Sequence, residues 1–203
     1  ANRENAVFFF LHLYEPHSPY EPSYDGEIAN VDAIVGRFLQ HLKTRGLYDD
    51  ALIILFSDHG EGLNDHGEDE HGIFLYREAL QVPLMVKLPR SEHAGREIED
   101  PVQLSDIFPT VLAQTATSHE LRSASGARSL LLPLSAKQNP RSIYSETYFP
   151  RFHFGWSDLH SLIDAEHHFI QAPQSELYEI SDVAETRKVM REKRREYAAM
   201  STA

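Results

Sequence analysis

Apolar positions fall into three runs of strand length and one of helical period. Residues 6–14, "AVFFFLHLY", are a continuous Phe-rich run, the pattern of a strand covered on both faces. From Asp25 onward, Ile28, Val31, Ile34, Val35, Phe38, Leu39 and Leu42 recur three and four residues apart. That period predicts an amphipathic helix with Asp25 as N-cap and Gly46 as its C-terminal glycine. Between the two lies "EPHSPYEPSYDG", a turn segment with three Pro. "ALIILF" (51–56) and "QVPLMVKLP" (81–89) read as two further buried strands. Strand, helix, strand with short links implies a right-handed crossover and a parallel sheet.

The later part of the chain changes pattern. "SDIFPTVLAQTA" (105–116) predicts a helix capped by Ser105 or Asp106, with Pro109 tolerable in its first turn. Residues 117–142 carry Ser, Arg, Gly and Pro without period, apart from "SLLLPL", and read as a surface linker. "RSIYSETYF", "LHSLIDAEHHFIQA" and "SELYEI" resemble short antiparallel strands, and "AETRKVMREKRREYAAM" ends the chain as a charged, solvated helix. The expected fold class is α/β: a parallel-sheet core over 1–116, the linker at 117–142, and a small antiparallel sheet plus helix over 143–203.

Composition narrows the function. Nineteen basic against thirty-one acidic residues give a net charge of −12, which disfavours nucleic acid as a partner. With no Cys among the 203 residues, disulfides, zinc fingers and a Cys nucleophile are excluded within this stretch. No apolar run approaches the roughly 20 residues that a membrane helix needs.

The chemistry concentrates where the second apolar run ends. "SDHGEGLNDHGEDEHG" (57–72) holds three His and six acidic residues in sixteen positions. Ligands of open parallel sheets bind outside the carboxyl ends of the strands, where this segment would emerge. Asp58 and His59 are adjacent, and a Gly-containing turn at 60 and 62 lets both face one cation. A carboxylate beside an imidazole suits zinc or manganese better than an all-oxygen calcium cage.

Taken together, "HLYEPHSPY", "YDGEIANVDAIVGRFLQHLKTRGLYDDALIILFSDHGEGLNDHGEDEHG", "FLYREALQVPLMVKLP", "SDIFPTVL" and "SELYEISDVAETR" resemble, in order and spacing, the sulfatase-like hydrolases of the alkaline phosphatase superfamily. The resemblance implies the C-terminal half of an alkaline-phosphatase-like core. Asp58 falls at a metal-ligand position of that family. His59 falls at the next, which is Asn in calcium-dependent arylsulfatases and His in phosphonate monoester hydrolases and phosphoethanolamine transferases. One divalent ion (Ca, Mn or Zn) is therefore implied without its identity. His17, in "PHSP", matches a His that binds the anionic or leaving group, and His71 matches a Lys or His beside the same oxyanions. Both become catalytic and substrate-binding candidates. His66, in "NDHGE", is a candidate for substrate binding or for organising the loop. Glu61, Asp65, Glu68, Asp69 and Glu70 are candidates for orienting the imidazoles, though most are expected to be solvated.

Other residues are assigned to packing. His12 is expected to be a core His, and Arg151, His153 and Trp156 in "FPRFHFGWSDL" are expected to pack the appendage on the core rather than lean over a substrate. His41, His93, His119, His160, His167 and His168 carry no signal.

The family's nucleophile, a formylglycine made from Cys or Ser in a Cys/Ser-x-Pro-x-Arg motif, or a Thr or Ser in phosphotransferases, has no counterpart here. It is expected in an N-terminal half of the same protein, without which this stretch should be inactive. The resemblance thus implies metal-dependent hydrolysis of a small anionic sulfate ester. A phosphodiester or phosphonate monoester hydrolase, a phosphotransferase and a non-catalytic pseudo-enzyme are the alternatives. Many relatives are exported or membrane-anchored, so the resemblance leaves the location open.

Overall fold

A computed structural model describes residues 7–115, 126–131 and 140–202. The expected linker at 117–142, and His119 within it, lies largely outside the described residues. The chain forms two compact units, Ala1–Ala51 and Leu52–Ala203.

In the first unit the helical period becomes helix α1, Tyr24–Thr44. Its cap is Ser23, whose Oγ accepts from the Gly26 N–H at 3.2 Å, so the helix starts just before the expected Asp25. At the other end Gly46 takes a left-handed φ of 63°. Its N–H donates to the Lys43 carbonyl, and that of Leu47 to the Leu42 carbonyl, the paired closure that a C-terminal glycine permits. The buried Glu27 carboxylate accepts from the Glu21 N–H at 3.0 Å and from Asn30 Nδ2 at 3.3 Å, tying the Pro-rich loop to the first helical turn.

The expected strand at 6–14 is not observed: residues 7–14 have no regular structure and no ladder partner among the described residues. A strand buried on both faces needs neighbours at its edges and layers above and below. Here Phe8 is 83% exposed, Phe10 is exposed as well, and Phe9 stacks on Phe38 of α1 with ring centroids 5.3 Å apart. His12 is exposed rather than in a core, stacking on Phe10 and meeting Tyr14 edge-on.

In the second unit β1, Ile53–Phe56, and β2, Leu84–Lys87, occupy the other two apolar runs. They pair antiparallel, Ile53 opposite Lys87 and Phe56 opposite Leu84, where a parallel sheet was expected. The reason lies in the connection. The segment between them is turns and one short helix, α2 (Arg77–Leu80), rather than a crossover helix, so β2 returns against β1. Phe56 and Met85 are exposed, so neither strand is covered on both faces.

Helix α3, Ile107–Gln114, follows a single 3₁₀ turn at Leu104–Asp106. Ser105 does not cap it. Instead Gln103 and Asp106 cap each other reciprocally, with the Gln103 N–H donating to Asp106 Oδ2 at 3.0 Å. Asp106 is buried, pairs with Arg141 at 2.5 Å and accepts from the Arg128 N–H at 2.8 Å. One carboxylate thereby joins three separated stretches of the chain.

The expected antiparallel strands form a four-stranded meander of β3 (Ile143–Thr147), β4 (Leu159–Ile163), β5 (His167–Gln171) and β6 (Glu176–Glu179). A short helix α4, Phe149–Phe154, interrupts it between β3 and β4 and ends at Gly155 with φ 68°. The charged tail is helical only over α5, Arg194–Met200, and is not a solvated face. Val189 and Met200 are buried with Phe169 and Leu177, and Met190, Tyr197 and Leu162 pack around them. An apolar stripe hidden among nine charged residues of 184–200 thus covers one side of the sheet.

Candidate metal and anion site

The site is built on the loop that leaves β1, and two glycines fix its path. A Cβ on Gly60 would lie 1.9 Å from the Glu78 carbonyl oxygen, and one on Gly62 would lie 2.3 Å from that of Glu68. Only glycine lets the loop press so closely on α2 and on its own return. Backbone hydrogen bonds hold it there, from Gly60 to Ala79 at 2.8 Å and from Gly62 to Glu70 at 2.7 Å. Beyond, Leu63, Asn64 and His66 all take left-handed φ values of 47–68°, a run of strained residues of the kind that persists where surrounding contacts impose it.

Asp58 and His59 emerge at this bend with Asp58 Oδ1 3.8 Å from His59 Nε2. Two ligands each about 2.0–2.2 Å from one cation lie no more than about 4.3 Å apart, so the spacing admits a shared ion. The tautomer also fits. His59 Nδ1 lies 2.9 Å from the Gly60 carbonyl, which only accepts, so the proton sits on Nδ1 and Nε2 carries the lone pair. Asp58 is 75% exposed and His59 40% exposed at the side chain, open to an incoming ion. Ser57 Oγ–H donates to the His59 carbonyl at 2.6 Å and steadies the turn. Among the described residues no group of three or more potential metal ligands converges, so the pair by itself does not complete a metal site.

His71 is brought to the same place. Its ring stacks on that of His59 with centroids 3.8 Å apart, and its Nδ1 lies 3.1 Å from Oε1 of the buried Glu61. The carboxylate fixes the ring's orientation. Glu68, expected to be solvated or to orient an imidazole, is buried instead. Its two oxygens accept from the Ile73 and Phe74 N–H groups at 2.6 and 2.9 Å, which turns the chain out of the loop.

His66 does not join them. Its Nδ1 lies 2.6 Å from Glu78 Oε1, its Nε2 3.3 Å from the Glu185 carbonyl, and its ring stacks on Tyr76 at 3.8 Å. Burial works against its charge, but the Glu78 hydrogen bond, the Glu185 carbonyl and both carboxylates outweigh it and raise its pKa. With both ring nitrogens engaged by Glu78 and Glu185, His66 braces the loop. His17 belongs to the other compact unit, where its Nδ1 lies 2.7 Å from the Ser18 carbonyl and its ring stacks on Tyr14 at 4.7 Å.

Two features of this region have no local signal in sequence. Glu185 is buried, takes a left-handed φ of 47°, accepts from the Arg77 N–H at 2.8 Å through Oε2 and lies 2.5 Å from His168 Nδ1 through Oε1. A glutamate more than a hundred residues downstream therefore locks the start of α2. Arg151, His153 and Trp156 are exposed instead of packing on a core. Thr147 Oγ1–H donates to the Gly72 carbonyl at 2.5 Å, and a Cβ on Gly72 would meet the Phe149 ring at 4.0 Å, so the start of α4 lies beside the residue that follows His71.

Known proteins resemble this chain in sequence and in fold. The "Multifunctional alkaline phosphatase superfamily protein PehA" of Trinickia caryophylli is 34% identical over 131 residues, 63% of this chain and 24% of its own length. The steryl-sulfatase of Mus musculus is 31% identical over 122 residues, 50% of this chain and 20% of its own. A solved phosphonate monoester hydrolase from Silicibacter pomeroyi superposes with a TM-score of 0.69 at 27% identity, covering 88% of this chain and 38% of its own. The chain thus spans less than a quarter of the length of the curated relatives named here. The Sulfatase family model matches residues 1–117, more than half of the 203, and the chain belongs to the Sulfatase family.

Proposed function

We propose that this chain supplies the C-terminal part of a metal-dependent ester hydrolase whose substrates are sulfate esters or the isosteric phosphonate and phosphate esters. The observation that carries the reading is the Asp58–His59 pair, 3.8 Å apart with His59 Nδ1 engaged by the Gly60 carbonyl, backed by the stacked His71. Residues 1–116 would then belong to an α/β core completed by further polypeptide, 117–142 to a linker, and 143–203 to an antiparallel subdomain. The exposed Phe8, Phe10, Phe56 and Met85 support a core with more layers than these residues provide.

Asp58 and His59 would hold one divalent cation together with ligands from the remaining polypeptide. Such an ion polarises the ester oxygens and lowers the pKa of a nucleophile. His71, oriented by Glu61, would bind a non-bridging oxygen or hand a proton to the departing alcohol. His17, on the Pro-rich loop of the other unit, would bind an ester oxygen by family resemblance. The nucleophile, a formylglycine by family resemblance, would come from the N-terminal half. The relatives' names span alkaline phosphatase superfamily, steryl-sulfatase and phosphonate monoester hydrolase, and the chemistry common to them is attack at a tetrahedral sulfur or phosphorus.

The test is turnover by the full-length protein of 4-nitrophenyl sulfate and of a 4-nitrophenyl phosphonate monoester. Hydrolysis of either that Asp58→Ala abolishes is the expected result. Turnover unchanged in Asp58→Ala, or absent for both esters in the metal-loaded wild type, overturns it.

A further inference from the structure

Immediately beyond His71 the second compact unit holds a cavity of about 430 Å³, within the range of small-molecule pockets. Its walls come from the loop leaving the site (Ile73, Phe74), from the α4 segment (Pro150, Trp156) and from the sheet (Leu159, Ile170). The Thr147–Gly72 hydrogen bond holds this segment against the residue next to His71. Cavity and site therefore share one short stretch of backbone.

The charge of the lining decides what fits. No Lys, Arg or His lines the cavity, and its one carboxylate, Glu176, is already satisfied. Glu176 Oε2 accepts from the Tyr76 and Tyr178 hydroxyls at 2.9 and 2.5 Å, and Lys188 binds Oε1. These hydrogen bonds overcome the effect of burial and keep it anionic, so it repels a second anion, and with three of its roughly four acceptor sites already taken it offers little to sugar hydroxyls. Trp156 stands 60% exposed at the rim, with Phe154 against it at 4.9 Å, an apolar surface available to a flat ring.

We propose that this cavity receives the neutral, apolar alcohol portion of the ester, so that aryl and other ring-bearing hydrophobic esters are preferred over sugar esters of the same charge. The assignment rests on the hydrolase reading for its link to turnover, while binding itself does not require it.

The experiment therefore has two arms on the full-length protein. Calorimetric titration with 2-naphthol reads the cavity without chemistry. Binding should survive Asp58→Ala, weaken about tenfold or more in Trp156→Ala, and return to within about threefold of wild type in Trp156→Phe. No binding, or equal binding in Trp156→Ala, overturns the assignment. In the second arm, kcat/KM for 2-naphthyl sulfate should exceed that for glucose 6-sulfate by about a hundredfold, with Trp156→Ala raising KM for the naphthyl ester alone. Naphthol binding with neither ester hydrolysed keeps the cavity and removes the hydrolase reading. Hydrolysis of both at similar kcat/KM keeps the hydrolase and overturns the preference.

Discussion

Replacing Gly60 by alanine probes the mechanical basis of the site, because the obstacle to a side chain there is backbone. The new Cβ would lie 1.9 Å from the Glu78 carbonyl oxygen, 2.9 Å from the Glu78 carbonyl carbon and 3.3 Å from the Ala79 carbonyl carbon. Ordinary contact begins near 3.4 Å, so the loop and α2 must part by about 1.5 Å, and no rotamer change relieves the clash. Parting breaks the 2.8 Å hydrogen bond from Gly60 to Ala79. Overpacking of this kind costs about 1–3 kcal/mol and the hydrogen bond about 1 kcal/mol, so a loss of about 2–4 kcal/mol is expected. Gly67 in the same loop is the control. Nothing lies within 4 Å of its would-be Cβ, and only its φ of +85° opposes alanine, at about 1 kcal/mol. Urea unfolding at unchanged m-value measures both. Because Gly60 also carries the carbonyl that sets the His59 tautomer, Gly60→Ala should weaken divalent-ion binding about tenfold or more, and Gly67→Ala should not. If Gly60→Ala costs no more than Gly67→Ala, the close-approach argument is wrong.

Three further outcomes are expected. Since the folded pKa of His66 is raised, its contribution is fully present below its unfolded value near 6.5 and is lost as pH rises through the folded value. Thermal midpoints measured upward from pH 6 should therefore fall more steeply in wild type than in His66→Asn, and parallel curves would refute the assignment. Arg141→Ala should cost about 3–5 kcal/mol by leaving the buried Asp106 carboxylate without its cation, whereas Arg90→Ala, at an exposed pair, should cost under about 1 kcal/mol; equal midpoints in urea would contradict this. In the full-length protein His71→Ala should lower kcat by roughly 10²–10⁴-fold, and a change within twofold would return His71 to a packing role.

The legible parts of the fold are those whose signal is local. The 3.6-residue period of α1, its terminal glycine, and the alternation and turns of β3–β6 depend on near neighbours in sequence, and they stand where the pattern places them. The direction of β2 and the fate of residues 7–14 depend on what lies beside a strand, which an apolar run does not encode. The same division runs through the site. Asp58, His59 and His71 are close in sequence and meet in space, with Gly60 and Gly62 as the visible clue. Glu185, which reaches back over a hundred residues to α2, had no such clue, and Glu68 looked like one more surface acid among six in the segment. In the tail, charge hid the spacing of Val189, Tyr197 and Met200, whose apolar faces close the sheet's core.

The claim on which the proposal stands is that Asp58 and His59 grip one cation. Calorimetric titration of metal-stripped full-length protein with zinc and with manganese tests it directly. Asp58→Ala and His59→Ala should each weaken binding of the preferred ion by about tenfold or more, while Asp69→Ala, an exposed acid of the same loop, should leave it unchanged. If all three variants bind like wild type, the cation does not sit between these two side chains.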